Sequence, residues 1–200
     1  MSFLTGTNVE LIASSAVAGS ALANSTTTTI VNVGAAGAYL PIGFFYTNAV
    51  GKKIRVVADG ILSTTATPTI KIGVSLDTVL GTINGSQVSN FFTGAVTTPA
   101  AGAVTNSQWH LEMELCVQSI AYASGSSTGQ TVGIVGYGWL AQSVSGIDAT
   151  AAGTVFLAGT TTAVNYPVNQ AYFVDIAAVW GTSSASNTLT CENVSVYGCN

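Results

Sequence analysis

The chain has 200 residues, a net charge of −4 and 6% charged side chains, against roughly 25% in an ordinary globular protein. That length suits one domain, or one domain with an arm, and a hydrophobic fraction of 48% argues against a disordered chain. The four basic residues, Lys52, Lys53, Arg55 and Lys71, make no stripe long enough to follow a phosphate backbone, so nucleic acid is not expected as a partner.

Residues 1–25 are small and mostly polar with weak periodicity. They read as an N-terminal arm, extended or with a short helical stretch at best, ahead of a single domain over 26–200. LIASSAVAGSALAN ends in an Ala-Leu-Ala pattern resembling a cleavage site, but no basic leader precedes it and Glu10 abuts its apolar part, so a signal peptide is not expected. Between Glu10 and Lys52 there is no charge, yet Ser, Thr, Asn and Gly interrupt the apolar residues too often for a membrane span.

From STTTTIVNVG onward β-branched residues become dense, and their stiff side chains suit a pleated surface. Short strand candidates cover 26–33 and 40–46. KKIRVVADGIL (52–62) then alternates, with Ile54, Val56 and Ala58 on one side and Arg55, Val57 and Asp59 on the other; Gly60 reads as a bulge or bend. After Pro68, TIKIGVSL turns Ile70, Ile72, Val74 and Leu76 to one face and Lys71, Gly73 and Ser75 to the other. A short candidate at 87–93 and a Gly/Ala/Thr-rich loop near 94–106 lead to WHLEMELCV. Here Leu111, Met113, Leu115 and Val117 face inward, while His110, Glu112, Glu114 and Cys116 face outward. Runs at 130–142, 153–159, 171–181 and 186–198 follow, each bounded by Gly, Ser, Thr or Asn, with long loops around 144–169. Eight to ten strands at this spacing, without helical periodicity, predict an all-β, jelly-roll-like antiparallel β-sandwich.

Chemistry is sparse. GSSTG at 125–129 matches the nucleophile pattern centred on Ser127, but it lies in a Ser/Gly-rich loop that leads into another strand, not at the strand-to-helix turn the pattern requires. His110, Glu112 and Glu114 point the same way from one strand. Steps of about 7 Å between alternate residues strain a shared metal site, so they read as a solvated strand face. The remaining carboxylates are scattered singly, and no P-loop or dinucleotide fingerprint occurs. No catalytic, cofactor-binding or metal-ligating residue is expected, and no cofactor. The tryptophans Trp109, Trp139 and Trp180 read as core anchors, although an exposed aromatic row on a sandwich would stack on sugar rings. Cys116, Cys191 and Cys199 match no zinc spacing. In one extended strand Cys191 and Cys199 would lie about 26 Å apart, so all three read as thiols made in a reducing cytoplasm.

Three segments, GKKIRVVADGILSTTATPTIKIGVSL at 51–76, SQWHLEMELCV at 107–117 and VWGTSSASNTLTCENVSV at 179–196, together with the small-residue opening into STTTTIVNV, resemble structural proteins of tailed bacteriophages: capsid decoration, head fibre and minor tail components. The resemblance implies a jelly-roll sandwich, assembly as a homotrimer, the major capsid protein or other virion proteins as partners, and a place on the virion surface after synthesis in the host cytoplasm. It carries no active site. The expected function is therefore capsid decoration, with residues 1–25 as the attachment element. A fibre or minor tail role with binding to a host-surface glycan is the alternative, and a depolymerase the enzymatic rival.

Overall fold

A computed structural model of the chain describes residues 9–32, 38–45, 50–65, 68–83, 89–92, 96–97, 103–121, 130–142, 154–159 and 164–199. In chain order its strands are β1 (Val9–Ser15), β2 (Leu22–Ala23), β3 (Thr29–Ile30), β4 (Ala38–Leu40), β5 (Lys53–Thr64), β6 (Thr69–Asp77), β7 (Ser89–Phe92) and β8 (Val96–Thr97). They continue as β9 (Val104–Ala121), β10 (Thr131–Gln142), β11 (Thr154–Gly159), β12 (Val164–Pro167), β13 (Tyr172–Trp180) and β14 (Thr188–Cys199). The larger sheet runs β1-β14-β5-β9-β10-β11, with β2 on β14 and β12 on β10; the smaller runs β3-β13-β6-β7, with β4 on β13 and β8 on β6. Every pairing is antiparallel. Neighbours β5 and β14 of the larger sheet continue into neighbours β6 and β13 of the smaller one. This paired crossing winds the chain into the expected jelly-roll-like sandwich.

The alternation of the sequence becomes the core. Ile54, Val56 and Ala58 of β5, Leu111, Met113 and Leu115 of β9 and Ile70, Ile72, Val74 and Leu76 of β6 are all buried in one cluster with Val174, Ile176 and Ala178 of β13. Trp109 and Trp180 are core residues, as their apolar contexts suggest.

Five local readings change. Residues 9–25 are not detached from the domain: β1 and β2 pair with β14, Gly19 N–H donates to Cys191 O at 2.8 Å, and Leu22 is buried. The weak periodicity of VELIASS has a cause, a bulge between Leu11 and Ala13 that resets the alternation in mid-strand. The weak candidate at 40–46 starts earlier, as β4, and turns at residues 42–45 after Pro41. The stretches read as loops near 94–106 and 144–169 contain β8, the start of β9 and β12, while β11 falls on the strand run expected at 153–159; β8 and β12 are too short to show a period. On β6, Gly73 and Ser75 are buried although they point away from the core; beside Ser75, Gly81 N–H of the segment after β6 reaches Asp175 of β13.

Gly60 is the fifth. The bulge lies opposite it on β14, between Cys191 and Asn193, and Gly60 itself faces the core. A Cβ there would meet Thr190 O at 2.0 Å and the Trp109 indole at 2.8 Å, so the bare backbone is the bed on which Trp109 lies while its Nε1–H donates to Thr190 O at 3.3 Å. Gly60→Ala is expected to destabilise the domain by about 1–3 kcal/mol through overpacking. Urea unfolding checks this, and an unchanged midpoint would contradict the contact.

Candidate functional site

Pleating sends the alternate residues of β5, β9, β10, β14 and β1 to the outer face of the larger sheet, and register arranges them in rows. One row reads Val9, Cys199, Lys53, Cys116, Val135, and the next Leu11, Tyr197, Arg55, Glu114, Tyr137. A third reads Ser14, Ser195, Val57, Glu112, Trp139, and a fourth Asn193, Asp59, His110, Ala141. Five of the chain's twelve charged residues and its one histidine stand on this face.

Each charge there has a partner on the neighbouring strand. Lys53 Nζ lies 3.0 Å from Glu114 Oε2, Arg55 Nη2 2.9 Å from Glu112 Oε1, and His110 Nδ1 2.5 Å from Asp59 Oδ1. Tyr137 ties the first pair down: its hydroxyl donates to Glu114 and receives the Lys53 ammonium at 2.9 Å. That hydrogen bond from Tyr137, with the Lys53 ammonium beside it, holds the Glu114 carboxyl below the usual range, and the same contacts raise Lys53. Tyr137 is raised by donating to the carboxylate, and Arg55 by its hydrogen bond to Glu112. The His110 ring packs on Trp139 with centroids 4.9 Å apart. Around these groups Val9, Leu11 and Tyr137 are about half exposed, while Trp139 and Tyr197 are half-buried.

The trio His110, Glu112 and Glu114 thus ends in three separate cross-strand pairs. Among the described residues no three His, Cys, Asp or Glu side chains come together in a group that could hold a metal ion. Ser127 lies outside the described residues. The cysteines are free, and Cys191 and Cys199 sit along the single strand β14. Burial pushes the Cys191 thiol up to about 12, which keeps it protonated and unreactive. Of the three tryptophans, Trp139 departs from the core reading. The alternation Val135, Tyr137, Trp139, with Gly136 and Gly138 between, carries the signal. Gly136 lies against the Phe91 ring, which leaves the large side chains on the outside.

No family model, no curated protein and no solved structure matches the chain.

A face held by surface pairs contributes modestly to stability, about 0.2–1 kcal/mol for each well-placed pair. Because the Glu114 carboxyl is held low in the folded state, its contribution is present above about pH 4.3 and is lost as the pH falls through the folded value. Glu114→Gln should therefore be less stable than wild type at pH 7, with the gap closing below about pH 4 as the wild-type carboxylate is protonated. Urea titrations of both proteins from acid to neutral check this; a gap that persists in acid would contradict it.

Proposed function

We propose that this chain is a virion structural protein that decorates and cements the outer surface of a tailed-phage head, acting as a homotrimer against the major capsid protein or other virion proteins. The observation that carries the reading is the outer face of the larger sheet: a rigid strand surface on which Leu11, Tyr197, Tyr137 and Trp139 surround ions already paired within the molecule. Tyr, Trp and Arg are enriched where proteins meet, and charges paired beforehand spare the interface an uncompensated buried ion. The three segments that resemble phage structural proteins add to this, since they supply β5, β6, β9 and β14, the strands that build the face and its backing.

A decorating subunit needs many modest contacts on a fixed scaffold. The sheet provides the scaffold, β1 extends the face with Val9 and Leu11, and threefold assembly makes the second and third contacts of a trimer intramolecular. A second reading draws on the His110–Trp139 stack beside Tyr137, an aromatic platform suited to a sugar ring and so to a fibre or minor tail protein that binds a host-surface glycan.

Co-sedimentation with bare phage heads tests the proposal. Leu11→Asp and Trp139→Ala should each weaken binding at least tenfold, as expected for apolar anchors at an interface centre. Lys71→Glu, exposed on the smaller sheet, should leave it unchanged. Wild-type protein that ignores heads would overturn the decoration reading, and glycan-array binding lost in Trp139→Ala would establish the second.

A further inference from the structure

One of the three pairs on the outer face of the larger sheet carries a conditional charge. Among the described residues the fixed charges of its rows are Lys53 and Arg55 against Asp59, Glu112 and Glu114, two positive and three negative. Glu112 and Glu114 each have a permanent cation, Arg55 and Lys53. Asp59 meets His110 instead: the ring Nδ1 lies 2.5 Å from Asp59 Oδ1, and Asn193 Nδ2–H donates to the other carboxylate oxygen at 3.5 Å. A neutral imidazole gives the carboxylate a hydrogen bond and leaves its charge in place. An imidazolium cancels that charge and brings these rows to zero.

The surroundings of His110 supply no other cation. It stands on β9 between β5 and β10, facing Asp59 on the first and the uncharged Ala141 and Trp139 on the second. Its outward neighbours on β9 are Gln108 and Glu112, the latter held by Arg55. Beyond Asp59, β14 presents Asn193, with Glu192 exposed in the adjoining bulge. The thiols Cys116 and Cys199 flank Lys53 three rows away. Trp139, with its ring centroid 4.9 Å from that of the imidazole, is a compatible neighbour for an imidazolium, because an aromatic face attracts a cation.

Water screens the conditional pair in the free protein, where the His110 and Asp59 side chains are 34% and 42% exposed. A partner laid over the row removes that water, and a carboxylate without a countercharge then opposes contact strongly. One proton on His110 removes the opposition. Given the decoration reading, on which this rests, we infer that docking takes up one proton at His110, so that the face binds as a fully paired surface in mild acid and releases as the pH rises. By linkage, the state that holds more protons gains as the pH falls, here by at most about tenfold in affinity per pH unit for a single proton.

Co-sedimentation of the full chain with bare phage heads at about pH 5.5 and about pH 8, the range over which histidine changes charge, tests this. Wild type should bind about tenfold or more tightly at the lower pH. Asp59→Asn, which removes the conditional charge, should bind more tightly than wild type at the higher pH and lose the preference for acid; a merely structural Asp59 would give weaker binding instead. His110→Gln, which cannot be protonated, should bind weakly at both. Calorimetry in two buffers of different ionisation enthalpy should find more proton uptake on docking by wild type than by either variant. Equal wild-type affinity at the two pH values would overturn the inference and leave decoration standing, as would an acid preference kept by both variants, since it would then belong to the heads. Heads ignored at both pH values would remove the decoration reading and this inference together.

Discussion

The register of β5 between β14 and β9 is the constraint on which the rest of the molecule depends. A strand has two faces, and a slip by one residue would exchange them, sending Ile54, Val56 and Ala58 to solvent and Lys53, Arg55 and Asp59 into the core. The cost of burying those ions unpaired far exceeds the net stability of a domain of this size, so a single register survives. Trp109 on Gly60 pins it further, because only one residue of β5 lacks the side chain that would displace the indole. Once β5 is placed, Lys53 reaches Glu114 and Arg55 reaches Glu112 on the diagonal, Asp59 lies opposite His110, and the two faces acquire different characters without additional instruction.

Much of this is legible in the residue order. Strict alternation in KIRVVADGIL, TIKIGVSL and WHLEMELCV identifies three central strands and their inward residues, because a half-buried strand must repeat every two positions. The all-β class follows from them. Where alternation fails, so does the reading. The bulge in β1 makes VELIASS look aperiodic, and β2, β3, β8 and β12 are too short to show a period at all. Ser75 and Gly73 look solvent-facing because nothing local announces that this face of β6 will be buried.

The outer face of the larger sheet was half visible. Each strand shows its own outward residues, but which of them meet depends on pairings between distant segments, so the rows joining Leu11 to Tyr197, Arg55, Glu114 and Tyr137 could not be assembled from composition. Asp77 and Asp175 illustrate the same limit more severely. Each is a lone acid within an apolar run, and only the β6–β13 ladder and the returning segment bring them together under cover.

The cross-strand pairing of Lys53 with Glu114 and Arg55 with Glu112 has one more consequence. Opposite charges a few ångströms apart project almost no field past the first layers of water, and physiological salt damps what is left within about 8 Å. Identical molecules can therefore crowd shoulder to shoulder with these surfaces side by side and feel little mutual repulsion. Dense, repetitive placement on a common support is electrostatically permitted by a chain that has almost no ions to spare.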